Sequence, residues 1–421
     1  METAVTNWLG VDFGTSNSAA AYFSDGKVVN IELEPGRNMI PTAVFFDFHE
    51  REILLGTAAN KALIDGLDGR YMRSLKSVLG TSLMSEKRPL LGRRTDFYDI
   101  ITVFLRQLKS RAEKSTGQTF DHVVSGRPVF FHDGDPQRDQ AAQNDLETCY
   151  LRAGFSSVKF LFEPVAAAFA NAGHAHAGTI GLVVDIGGGT SDFTLFRTAA
   201  ANCIDVLASN GLRLGGTNFD RQISFDHFMP LLGRGQKLKR RLPDGIIEAP
   251  THIFAELSTW EKIPFQYDPK NLLFAQGLLR DAVEPQTFSR LVKVLEMRLG
   301  HDIAFLAEKT KISYKRHATS QDVDLGIIEP DLYAPLSQDG FEQSLARFTP
   351  PLAAAIQEIL DNAKIPASNI GRVVTVGGSS SMHIVTDAIG HSLPDLANLE
   401  IEDGAIFTSV VDGLAIAASQ Q

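Results

Sequence analysis

The stretch Gly181–Phe196, GLVVDIGGGTSDFTLF, decides how the rest of the chain is read. Leu182, Val183 and Val184 form a short apolar run suited to a buried strand, and Asp185 interrupts it just before Gly187, Gly188 and Gly189. The strand is expected to end where the glycines begin. Glycines there permit positive φ and bring consecutive N–H groups against a bound anion with no Cβ in the way. Thr190 and Asp192 then offer a hydroxyl and a carboxylate, and Phe193–Phe196 resumes an alternating strand pattern. Strand, turn, strand is not the strand, loop and helix of a Walker phosphate loop.

The same logic recurs near the start, in Leu9–Phe23, LGVDFGTSNSAAAYF. An apolar strand carries Asp12, and Gly14, Thr15 and Ser16 precede small and apolar residues that can form the returning strand. Two such hairpins suggest an internal duplication. Either one alone is ambiguous, because an Asp before a glycine turn also closes many hairpins that bind nothing.

Together the hairpins resemble the phosphate motifs of the actin, sugar-kinase and DnaK (heat-shock 70) ATPase superfamily. Three further stretches match in the required order. Phe162–Phe169 (FEPVAAAF) resembles the first connecting helix, Val373–Ser379 (VVTVGGS) the adenosine motif and Asp412–Ala418 (DGLAIAA) the second connecting helix. Leu212–Asp220 (LRLGGTNFD) is similar to a DnaK-type segment that actins and sugar kinases lack. The resemblance spans most of the chain and points to the DnaK branch, closest to its short, YegD-like relatives.

The resemblance implies an α/β fold of two RNase H-like (actin-like ATPase) domains facing a nucleotide cleft. One lobe would comprise 1–177 plus 403–421 and the other 178–402, with an outer subdomain at about 220–306. It also implies ATP or ADP and Mg²⁺ as cofactors. Backbone N–H groups of Gly14, Thr15 and Ser16, and of Gly187, Gly188, Gly189 and Thr190, would meet the phosphates, with Gly215 and Gly216 beside them. Asp12, Asp185 and Asp192 would hold Mg²⁺ mostly through its waters, as that slowly dehydrating ion prefers. Lys76, in RSLKSVLG, would reach the γ-phosphate and Glu163 would orient the attacking water, with Asp185 and Thr190 completing the catalytic set. Pro128, Arg138 and Glu163 match an interdomain relay. The Pro after Glu163 is expected to bias it away from helical φ/ψ and hold it at a strand end. Around the adenosine the matches are Glu308, Lys311, Gly377, Gly378, Ser379 and Met382. Ile312, Lys315 and Ser381 depart from the family pattern and leave the base preference open.

Outside that resemblance several of these residues have plainer readings. Lys76 alone reads as a solvated helix lysine, and the three aspartates as unrelated turn residues. His174 and His176 are too few to ligate zinc without an adjacent Cys or Asp cluster. The basic run GRGQKLKRR at 233–241 reads as a solvated loop or as a contact for an acidic partner. The proline-rich stretch 243–271 is expected to be an insertion in the outer part of the second domain.

At 421 residues the chain is too long for one hydrophobic core and comfortable for two domains. Forty basic against 50 acidic residues give a formal charge of −10, which disfavours nucleic acid or an anionic membrane as the main partner. Cys149 and Cys203 are too few for a disulfide framework, so a reducing compartment fits. With no leader-like start and no apolar run of about 20 residues, the expected location is cytoplasmic.

The expected function is a nucleotide-driven switch, a DnaK-like ATPase of weak basal activity whose lobes open and close and so control a protein partner of unknown identity. Gln421 follows directly on the second connecting helix, so no peptide-gripping domain is expected. The alternatives are a small-molecule kinase of the same superfamily and a filament former of the actin or MreB type.

Overall fold

The computed structural model describes residues 7–132, 134–171, 177–199, 204–241, 244–316, 322–393, 400–403 and 408–421. His174, His176, Cys203 and Pro243 lie outside these residues. The chain forms two compact units, Met1–Gly216 with Pro350–Gln421, and Thr217–Thr349.

The first unit contains two sheets of one design. In the first, β1 (Trp8–Phe13), β2 (Asn17–Ser24) and β3 (Lys27–Asn30) run antiparallel, and β4 (His122–Arg127) and β5 (Ser157–Phe162) continue parallel from β1. The order is β5-β4-β1-β2-β3, with Met39–Pro41 also paired to β2. In the second, β6 (Ile180–Ile186), β7 (Ser191–Thr198) and β8 (Ile204–Leu212) run antiparallel, and β9 (Ile370–Val376) and β10 (Glu400–Asp403) continue parallel from β6. The order β10-β9-β6-β7-β8 repeats the first sheet. The duplication therefore extends beyond the hairpins to five strands in each sheet, and the fold is the RNase H-like α/β arrangement of actin-like ATPases.

Burial explains why the central strands read as they do. Leu182, Val183 and Val184 of β6 and Val373 and Val374 of β9 are fully enclosed, as strands covered on both faces require. Against the first sheet, Leu9, Val11 and Phe13 join Phe104, Leu105 and Leu108 of the helix Phe97–Thr116, and Leu146 and Tyr150 of the helix Pro136–Ala153, in one core. Asp96 caps the first of these helices in a reciprocal box with Asp99, and Gly117 ends it in the left-handed region.

Two short alanine-rich helices, Glu163–Asn171 and Ser409–Ala418, cross where they have almost no side chains. A Cβ on Gly413 would lie 1.7 Å from the Ala166 carbonyl oxygen, so the backbones touch.

Entering the second unit, the helix Gly216–Ile223 runs on into a π turn at Ser224–Phe228 and a 3₁₀ turn at Met229–Leu232. The basic run at 233–241 is not simply a loop: Lys237–Arg241 pairs antiparallel with Asp244–Glu248. Pro269 and Pro285 open helices rather than breaking them, because a first-turn residue needs no backbone N–H partner. Among the described residues no helix is long and apolar enough to cross a membrane.

Candidate functional site

Within the first unit the two hairpin turns meet. A Cβ placed on Gly188 would lie 2.2 Å from Ser16 Oγ, and one on Gly189 would touch Thr15. The reason for glycine differs from the one expected: Gly14, Gly187, Gly188 and Gly189 are not in the left-handed region. What excludes a side chain at Gly188 is the approach of the other hairpin. Two further turns pack on the same place. The Gly216 N–H donates to the Gly187 carbonyl at 2.9 Å, and a Cβ on Gly215 would sit 2.8 Å from the backbone of Gly187, Gly188 and Gly189. Gly377, at φ 87°, does require positive φ, and a Cβ there would fall 2.6 Å from Asp185 Oδ1. Four glycine turns, far apart in sequence, thus converge.

The carboxylates gather beside them. Asp185 and Asp192 are directly opposite in the β6–β7 ladder, and both are buried, while Asp12 on β1 is partly exposed. Asp192 Oδ1 accepts from the Val129 N–H at 3.0 Å, and the Thr190 hydroxyl also bonds to this carboxylate. Desolvation and the charge of Glu163 push Asp12 and Asp192 up to about 7 from an ordinary 3.8, with Lys76 opposing. Asp185 is driven well above the ordinary range by desolvation, then by Glu163, Asp192 and Asp12. Lys76 Nζ donates to Glu163 Oε1, and both side chains are almost wholly enclosed. Burial disfavours the Lys76 charge, but Glu163, Asp12 and Asp192 outweigh it and its pKa rises.

One enclosed lysine does not balance four neighbouring carboxylates, so this donor set fits a cation. Among the described residues no three His, Cys, Asp or Glu side chains converge as a direct ligand set. A hydrated Mg²⁺ makes no such demand, because it keeps most of its own waters.

The segment carrying Lys76 is held by its neighbours. Ser74 adopts φ 57° and opens the 3₁₀ turn Leu75–Val78. After it, His132 Nε2 donates to the Leu79 carbonyl at 2.6 Å, and Asp145 Oδ2 accepts the Gly80 N–H at 2.8 Å. Arg138, matched to a relay toward Glu163, is instead exposed and donates from Nε to the Gly80 carbonyl at 3.3 Å. Glu163 departs from its expected backbone too. It stands at the end of β5 but opens the helix Glu163–Asn171, since Pro164 in a first turn is compatible with helix.

Comparison with known proteins bears on this arrangement. Residues 87–248 match the family model for Hsp70 protein. The chaperone protein DnaK of Mycoplasmoides gallisepticum is 28% identical over 320 residues, 72% of this chain and 51% of that protein. The DnaK of Ureaplasma urealyticum is 27% identical over 317 residues, 72% of this chain and 50% of that protein. An Hsp70-type domain is present. The chain spans about half the length of the curated relatives it matches.

The matched residues 87–248 of the Hsp70-type domain include Glu163, the second hairpin and the Gly215–Gly216 turn. On the side assigned to adenosine, Ser379 and Met382 are buried in the first unit, following the Gly377–Gly378 turn. Ser381 Oγ is buried without a partner among the described residues. Glu308 and Lys311 lie on the helix Gly300–Arg316 of the second unit, where Lys311 Nζ pairs with Asp220 Oδ1 at 2.8 Å. Ile312 is exposed. The sequence reading did not single out Val129, which donates to Asp192, or Arg127 beside it in the first unit, nor Asp220, the partner of Lys311 in the second. Arg127 alone carried a signal, as a charge inside the otherwise uncharged stretch VVSGRPVFF.

Proposed function

We propose that the protein binds ATP with Mg²⁺ at the four converging turns and hydrolyses it slowly, using the cycle to switch a partner. The observation that carries this reading is the packing of Ser16 on Gly188, which brings both hairpin turns to one place beside Asp12, Asp185 and Asp192. Backbone N–H groups of Gly14–Ser16 and Gly187–Thr190 would bind the phosphate chain. Asp12, Asp185 and Asp192 would hold Mg²⁺, which when bound neutralises phosphate charge. Lys76 would bind the γ-phosphate once released from Glu163, and Glu163 would then accept a hydrogen bond from the attacking water. Phosphoryl transfer asks for little beyond position and charge, so turnover is slow until the water is aligned.

In this reading the functional lobes are 1–177 with 403–421, and 178–402, and nucleotide exchange accompanies their opening. Gly377, Gly378, Ser379 and Met382 would contact the nucleoside, while Glu308 and Lys311 are assigned to it by the resemblance alone. The Gly215–Gly216 turn, which the resemblance ties to the DnaK branch, favours a switch over a small-molecule kinase or a filament former. The deciding measurement is thermal stability with Mg-ATP, Mg-GTP and EDTA. Ligand at 100 times its Kd adds about 2.7 kcal/mol to stability. No nucleotide-dependent shift at millimolar ATP overturns the proposal.

A further inference from the structure

Arg127 is among the few buried charged residues of the first unit, and it ties the turn that follows it to the helix Pro136–Ala153 and to Phe162. Its Nε donates to the Pro128 carbonyl at 3.1 Å, and its Nη2 to the Val129 carbonyl at 3.3 Å and to Asp139 Oδ2 at 2.7 Å. Nη1 donates to Gln143 Oε1. The guanidinium lies 5.0 Å from the Phe131 ring centroid and 5.1 Å from that of Phe162. Asp139 closes the circle, because its Oδ1 accepts the Phe131 N–H at 2.6 Å. Stability alone gives no reason for such a residue. A buried ion pair gains little over apolar side chains of similar size, whereas a planar fork fixes several acceptors at once.

What the fork fixes is a direction. Pro128 C=O and Val129 N–H belong to the same peptide unit, and in a trans peptide they point opposite ways. Holding the carbonyl on Arg127 therefore aims the amide, and the amide lands on Asp192 Oδ1 at 3.0 Å. The same side chain packs on Phe162, the partner of Arg127 in the β4–β5 register and the residue before Glu163.

We propose that Arg127 is a positioning residue of the phosphate site, acting through the Pro128–Val129 peptide to set the orientation of the Asp192 carboxylate. This rests on the ATPase reading for its functional consequence, but not for its geometry. Among the described residues, the Thr190 hydroxyl is the other group that bonds to the rotatable Asp192 side chain. With the peptide clamped, Asp192 presents one fixed oxygen to the site.

The test uses the full chain and the variant Arg127→Met, read in two ways. Amide hydrogen exchange at Val129 is expected to accelerate at least about tenfold while Val183 and Val184 keep wild-type rates. In ATP turnover, the Mg²⁺ concentration at half-maximal rate is expected to rise on the order of tenfold, since small misplacements of a site group are costly. Adding Arg127→Met to Asp192→Asn should then shift it no further, because both act through one group. Unchanged Val129 exchange, or additive effects on the Mg²⁺ requirement, overturns the proposal. If Arg127→Met does not fold, Asp139→Asn weakens the same clamp and carries the same readouts. Should the wild-type chain show no response to Mg-ATP, the ATPase reading fails while Val129 exchange still decides whether Arg127 sets the amide.

Discussion

Lys76 and Glu163, 87 residues apart, form an ion pair that is almost wholly enclosed. The reading of the site needs both groups for different tasks, so in this arrangement each holds the other out of use. Lys76→Ala and Glu163→Ala should retain ATP binding and lose turnover by about 10²–10³, the usual effect of removing one preorganised group. Single-turnover hydrolysis alongside a binding titration checks this, and either variant turning over at the wild-type rate removes its residue from the mechanism.

The same pair makes a separate prediction about stability. Removing one partner of a buried pair strands the other charge, at a cost of about 3–5 kcal/mol, whereas removing both can be nearly neutral. Urea denaturation should therefore find Lys76→Met with Glu163→Gln more stable than Lys76→Met alone. A double variant less stable than Lys76→Met alone would mean that the pair is not the unit.

Gly188→Ala would place a methyl 2.2 Å from Ser16 Oγ and 3.2 Å from its Cβ. Overpacking of this kind typically costs about 1–3 kcal/mol. The first hairpin must move, and nucleotide affinity should fall with it. Gly188→Ala combined with Ser16→Gly removes both clashing atoms and leaves the Ser16 backbone N at 3.6 Å, an ordinary contact. Affinity should recover in the double variant, as measured by calorimetry with Mg-ATP.

Asp12 and Asp192 hold their protons to about 7 in the folded chain, against 3.8 for the ordinary carboxyl. Between those values the folded state binds more protons than the unfolded one, so stability falls as pH rises. The contribution is fully present below about 4 and lost as pH passes 7, on the order of a few kcal/mol. In EDTA, urea midpoints should decline over this window, and Asp192→Asn should flatten the decline. Mg²⁺ should flatten it as well, because a cation favours the ionised carboxylates. An identical slope in EDTA for the wild type and Asp192→Asn would count against this assignment.

Gly413→Ala tests the crossing of the two alanine-rich helices. A Cβ 1.7 Å from the Ala166 oxygen cannot be absorbed by a side-chain rotation, since the nearest atoms it meets are all backbone atoms of Ala166. The helices must separate, and a loss of more than about 3 kcal/mol is expected, beyond the usual range for single substitutions. Thermal melting would check it.

Local features of the fold were legible in the sequence. Strand alternation, the Asp before each glycine turn and the alanine-rich helices are short-range patterns, and the repeated sheet grew from them. Pairings across long separations were not. Nothing near Lys76 announces Glu163, and nothing near Gly188 announces Ser16. Glycine at 188 could be explained locally by backbone freedom, and its true cause, the approach of another hairpin, is visible only in three dimensions. The prolines at 269 and 285 show the limit of local punctuation, because a proline serves helix starts as well as breaks and here opens a helix at both positions.

Asp185 and Asp192 stand directly opposite in the β6–β7 ladder, where like charges, once ionised, destabilise a sheet. That hairpin is built with a fault line that opens as the carboxylates ionise and that a counter-charge can close. Since its turn also seats Ser16, Gly215 and Gly377, loosening there would propagate to all four. Filling the cleft and completing the architecture would then be one equilibrium, and scarcity of the cation would register as softness of the chain itself.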